Sequence, residues 1–181
     1  MLLFVAPALT MHLFAEERRS GTIELLMTYP VQDWEVVVGK FLSAFILFLA
    51  FVLLTVPVYP TFLMMYANPD KGTLLTTYLG IILIGACFLS LGVLSSALTK
   101  SQTVSAMIGI GFLFGLMLCY YAGSLDIYNI GKVLAYLSPI DHFMQSFAGG
   151  SINSRDVVYY VTFIFFFLFT SVRVVEIKRW Q

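Results

Sequence analysis

The sequence predicts an all-α membrane protein, a polytopic bundle of about five transmembrane helices, and two observations predict it. Sixty per cent of the 181 residues are hydrophobic and only 11% are charged, well below the roughly 25% charged of an ordinary soluble domain. The charged residues also divide the chain into long apolar stretches. Phe41 to Pro69, Gly72 to Thr99, Ser101 to Leu125 and Val157 to Val172 contain no Asp, Glu, Lys or Arg.

Three of these stretches exceed the ~20 residues that a helix needs to cross the hydrocarbon core. The fourth reaches that length if Arg173 snorkels to the headgroups and the helix continues through Val175. Met1 to Ala15 is apolar apart from His12 but short for a span. Ala6-Pro7-Ala8 resembles a small-residue cleavage site, yet the apolar run before it is too short for a signal peptide and lacks a basic n-region. The segment reads better as the lower part of a transmembrane helix whose upper part is absent from this chain. Pro57 and Pro60 interrupt the second apolar stretch and are expected to kink or end its helix.

Net charge is zero and the basic residues are scattered, so nothing points to a nucleic-acid partner. Arg18, Arg19, Lys40, Lys100, Arg173, Lys178 and Arg179 fall on one side of the spans, against Lys71, Lys132 and Arg155 on the other. The positive-inside rule then places the first set, and the C-terminus, in the cytoplasm. Cys87 and Cys119 lie inside apolar spans with no metal or redox spacing and read as structural thiols. Small residues recur at every fourth position: Ser101, Ser105 and Gly109; Gly111, Gly115, Cys119 and Gly123; Gly92 and Ser96. Of these, Gly92, Ser105, Gly109, Gly111 and Gly115 are the expected helix-packing positions, because packing rather than hydrophobicity drives association in lipid.

The most informative polar stretch runs from Glu16 to Lys40. Its charged start, the apolar run Ile23 to Met27, Pro30 and then Trp34 describe a short amphipathic helix at the membrane surface, a turn and re-entry. It can serve as a passive anchor or as a docking element for a cytoplasmic partner. Pro7, Thr10, Met11, the run Glu16-Glu17-Arg18-Arg19-Ser20-Gly21-Thr22-Ile23-Glu24-Leu25-Leu26, Pro30 and Gly39-Lys40-Phe41 resemble the signature of ABC-2 type transporter permeases. Within that family the nearest likeness is to gliding-motility permease subunits, which share a basic and tryptophan tail like Lys178-Arg179-Trp180.

The resemblance covers residues 1–181 as a single permease domain and implies six helices, of which the first is missing here. It implies a cytoplasmic coupling helix at 14–30, where Glu16, Glu17, Arg18, Arg19, Gly21, Thr22, Glu24 and Leu25 would contact a separate ATPase subunit. ATP and its magnesium would sit on that subunit. A second permease copy, identical or related, and membrane lipid are the other implied partners, and a multi-pass place in the plasma (inner) membrane is the implied location. Independently, Gly39-Lys40-Phe41 and Gly131-Lys132-Val133 lack the glycines and Ser/Thr of a phosphate-binding loop, so ATP chemistry on this chain is not expected.

Between the third and fourth long stretches, residues 126–152 mix Asp126, Lys132, Asp141 and His142 with the eight-residue apolar run Val133 to Ile140, too short to span. Family likeness implies short re-entrant helices there, with breaks at Pro139 and Gly149-Gly150. Asp141-His142 forms neither a metal-ligand set nor a nucleophile, base and orienter. Tyr120, Tyr121, Tyr159 and Tyr160 read as interfacial belts. The function expected is therefore a non-enzymatic permease subunit for export, with no catalytic or metal site. Two other readings stand beside it. A non-transporting scaffold of an envelope or gliding machine would use the same docking helix, whereas an ion-coupled carrier usually needs ionisable residues within its spans, and the three long stretches have none.

Overall fold

The computed structural model describes residues 2–20, 32–66, 70–124 and 128–179, and among these there are helices and turns but no strand. The chain opens with α1 (Leu2–Thr10) and α2 (His12–Ser20), parted only by a turn at Met11. Then come α3 (Asp33–Thr55), the short α4 (Tyr59–Tyr66), α5 (Lys71–Leu98) and α6 (Gln102–Ser124). Two short helices, α7 (Tyr128–Leu137) and α8 (Pro139–Gln145), and a 3₁₀ turn (Phe147–Gly149) lead into α9 (Ser154–Arg179).

Four of these segments, Asp33–Phe62, Lys71–Leu98, Gln102–Gly123 and Ser154–Lys178, are long and apolar enough to cross a membrane. They are the four apolar stretches of the sequence, and α1 with α2 supplies the shorter run before them. The architecture is that of an all-α, multi-pass membrane protein. Ile46, Leu53, Leu54, Phe165 and Phe166 stand exposed, an arrangement that suits hydrocarbon as solvent and would be costly in water.

Helix boundaries follow the local sequence. α3 ends at Thr55, three turn residues follow, and Pro60 falls in the first turn of α4, where its missing N–H removes no helical hydrogen bond. Ser138 caps α8, its hydroxyl accepting from the Ile140 N–H, with Pro139 opening the helix. α5 is buried over 78% of its apolar window, against 17% for each of the other three. Its sequence accounts for this, since Gly80, Gly85, Ala86, Ser90, Gly92, Ser95 and Ser96 let other backbones approach closely.

Contacts divide the chain into two compact units: 1–46 with 86–114 and 162–181, and 47–85 with 115–161. In the first, a Cβ at Gly92 would collide with the Thr10 side chain, and one at Gly109 would meet Ser95 Oγ at 3.2 Å and Pro7 Cβ at 3.4 Å. Ser105 is fully buried, 3.5 Å from the Ser95 hydroxyl. In the second, Gly85 packs on the Phe48 ring, Gly80 on Phe147 and Phe143, and Gly123 on Ala135. Gly150 adopts φ 82 and faces the Thr73 hydroxyl, a backbone conformation that only glycine takes without strain. Around Gly111 and Gly115, nothing among the described residues lies within 4 Å of where a Cβ would stand.

Candidate functional site

The charged end of α2 is where the first unit gathers its polar contacts. Ser96 of α5 anchors the break between α1 and α2. Its oxygen accepts from the N–H groups of Phe14 (3.0 Å) and Ala15 (3.2 Å), and its hydroxyl donates to the Met11 carbonyl at 3.1 Å. The amides of a helix's first turn have no partner within the helix, so a serine from a neighbour satisfies them in a buried place. The small side chain expected at Ser96 for close approach therefore also acts as a cap.

One turn further on, the acidic residues reach outward to other helices. Glu17 pairs with Lys40 of α3 at 2.5 Å, and the same ammonium donates to the Leu13 carbonyl at 2.5 Å and sits 4.9 Å above the Phe14 ring. Glu16 accepts from the Gln102 amide at the start of α6, 3.0 Å away. Lys178, near the end of α9, donates to the Ala97 and Leu98 carbonyls that close α5, at 3.1 and 2.6 Å, a favourable place for a cation at a helix C-terminus. Arg18 and Lys100 lie close enough to Lys178 to repel it. Burial pushes the Arg18 guanidinium below its usual value, and its Nη2 is buried with no hydrogen-bond partner among the described residues. Arg19 is exposed. Gly21, Thr22, Glu24 and Leu25, the rest of the expected contact segment, lie outside the described residues.

Among the described residues no three His, Cys, Asp or Glu side chains cluster as a metal site would require. What this arrangement offers is mechanical. The last two turns of α2 are tied by side chains to α3, α5 and α6.

The second unit contains a polar cluster that sequence reasoning missed. His142 pairs with Asp156 rather than its neighbour Asp141: Nδ1 lies 2.7 Å from Asp156 Oδ1, and Nε2 lies 3.0 Å from the Tyr136 carbonyl. The other Asp156 oxygen accepts from the Ser146 hydroxyl at 2.5 Å, while Asp141 accepts from the Gln145 amide. Tyr159 and Tyr160 belong to this cluster, donating to the Leu137 and Pro139 carbonyls at 2.6 and 2.7 Å. Tyr160 is fully buried and so cannot serve in an interfacial belt. A cavity of about 740 Å³ opens beside the cluster, lined by His142, Ser146, Asp156, Tyr136, Asp141 and Arg155 among others. The signal that could have found the cluster was the single carboxylate, Asp156, in the first turn of an apolar span, a place where an ionised group needs a partner.

Comparison with known proteins places this chain in a family. Residues 1–175 match the model of the ABC-2 family transporter protein. Two curated relatives, both named probable multidrug ABC transporter permease YbhR, from Escherichia coli strain K12 and from Escherichia coli O157:H7, are each 28% identical over 135 residues. That alignment takes in 71% of this chain and 35% of each relative, so the chain spans about a third of the length of the curated relatives it matches. No solved structure matches. With the family model covering nearly the whole sequence, the chain belongs to the ABC-2 family of transporter proteins.

Proposed function

We propose that this chain is the membrane-spanning permease subunit of an ATP-driven exporter, with ATP bound and hydrolysed on a separate ATPase chain that docks at residues 14–30. The observation that carries the reading is the end of α2, where Glu17 is paired with Lys40 and Glu16 is bonded to Gln102. A push on this end reaches the helices that cross the membrane through short, directional contacts. ATPase closure would in this way tilt the spans between two arrangements. The ends of these helices would face the cytoplasm, in keeping with their excess of basic residues, and a second permease copy would complete the transport path.

The multidrug name of the relatives supports an amphipathic or lipid-linked cargo moving along an apolar path. A gliding-motility role has only the Lys178-Arg179-Trp180 tail in its favour. The test is to co-reconstitute the full-length permease with its candidate ATPase in liposomes. ATP hydrolysis should change when the permease is present. Glu17→Ala and Arg18→Ala should each weaken ATPase binding or uncouple hydrolysis from transport. If neither substitution alters binding or rate, the docking assignment is wrong, and transport that collapses with the proton gradient while ATP is present would point to a carrier.

A further inference from the structure

His142 is held in a way that fixes how many protons it shares. Its Nε2 faces the Tyr136 carbonyl, which can only accept, so that nitrogen carries a proton. Its Nδ1 faces Asp156 Oδ1, and a second proton has to lie between ring and carboxylate for that 2.7 Å contact to hold. The Ser146 hydroxyl, donating to Oδ2, favours the ionised carboxylate and leaves the proton on the ring. Aromatic rings surround the resulting imidazolium, with Tyr159 stacked at 4.0 Å and Tyr136 edge-on at 4.9 Å, and such rings stabilise a cation.

The other titratable groups around this site are few among the described residues. Tyr136 comes from α7, Asp141 from α8, and Arg155, Tyr159 and Tyr160 from α9; Tyr120 of α6 lines the same cavity. Asp141 is engaged by Gln145, and Arg155 is exposed. The cavity does not by itself select a ligand, because its buried polar groups, His142, Ser146 and Asp156, satisfy one another.

What the pair joins is more informative. His142 lies at the middle of α8 and Ser146 caps its C-terminal end, the Tyr136 carbonyl belongs to the end of α7, and Asp156 lies in the first turn of α9. Asn153 adds a bond to the Ser146 hydroxyl at 3.0 Å. The residues from Tyr136 to Ser146 are thus fastened to the start of α9 by the buried ring together with the Ser146 hydroxyl on Asp156 and the Tyr159 and Tyr160 hydroxyls on the Leu137 and Pro139 carbonyls, and of these links the ring is the one whose bonds change with a proton.

We propose that His142 and Asp156 form a proton-dependent clasp: with their shared proton in place the α7–α8 segment is held tightly to the first turn of α9, and loss of that proton loosens it. The chemistry is a simple proton release. The neutral ring has one N–H for two acceptors, so one bond must break, and a lone pair would face either a carbonyl or a carboxylate in a buried site. The sign follows directly. The clasped form carries the extra proton, so its stabilisation is present at low pH and is lost as pH rises through the titration of the pair.

The experiment uses the full chain in lipid nanodiscs. The chain has only two histidines, so ¹⁵N-histidine NMR with a His12→Gln control assigns His142, while amide exchange of residues 136–153, corrected for the intrinsic pH effect, reports loosening. Two ring N–H signals should accompany the protected state. Protection should then fall about tenfold per pH unit as one of them is lost, as one linked proton requires. Asp156→Asn should move loosening to lower pH, because the imidazolium loses its counter-charge, and His142→Asn should abolish the pH dependence. A single ring N–H in the protected state, or protection that is flat while the ring titrates, would overturn the clasp. Should His142→Asn fail to fold, the wild-type comparison of NMR with exchange decides the question alone.

Discussion

In the first unit polar side chains stand at helix ends and each reaches a different helix, whereas in the second they converge on one buried point. Glu17–Lys40 is partly open to solvent, with side chains 34% and 15% exposed, and pairs of this kind contribute little to stability individually. His142–Asp156 is almost closed off, at 4% and 9%, where removing one partner leaves an uncompensated charge. The difference teaches what each arrangement suits. Exposed links along several helices can be pushed and re-formed, while a buried pair holds until its proton count changes.

The largest expected effect tests that contrast at its buried end. Asp156→Ala strands His142 and the Ser146 hydroxyl and should cost roughly 3–5 kcal/mol, read as a lowered thermal midpoint in detergent. Gly92→Ala should follow. Its new methyl would overlap Thr10, both on helices that cannot easily part, for a loss of about 1–3 kcal/mol in the same assay. Ser96→Ala leaves the buried Phe14 and Ala15 amides without their acceptor and should cost about 1–2 kcal/mol, with faster exchange at both amides. Lys40→Met should cost under about 1 kcal/mol of stability, yet it removes a link that the proposed coupling uses, so ATPase stimulation should fall further than the midpoint does. Smallest of all, Gly115→Ala has open space around it and should stay within about 0.5 kcal/mol of the parent. A large loss there would mean that this face is covered by another chain or a tightly held lipid.

The spans were legible residue by residue, because a bilayer imposes one rule, about twenty apolar residues without charge, and composition alone reports it. Pro57 and Pro60 were legible for a similarly local reason, their effect on their own helix. Gly92, Ser105, Gly109, Gly111 and Gly115 were all picked from spacing, and among the described residues the first three meet close neighbours while Gly111 and Gly115 have none within 4 Å. Periodicity marks a face of a helix and carries no information about whether a neighbour occupies it. The clasp was invisible for a further reason. Asp141 is next to His142 in sequence, but on a helix adjacent residues point in different directions, and the carboxylate that reaches the ring comes from fourteen positions away.

The sequence by itself determined that the chain lies in a membrane, how many long helices it has and where they break, since these depend on transfer free energy and backbone chemistry that each segment carries alone. It also carried, in Glu16 to Lys40, the resemblance to the family whose model matches residues 1–175. Only the tertiary structure decided that Ser96 caps α2, that Glu16 and Glu17 hold two different helices, and that His142 answers to Asp156. Those are pairwise contacts between segments distant in sequence, and their energies exist only once packing has brought the partners within hydrogen-bond distance.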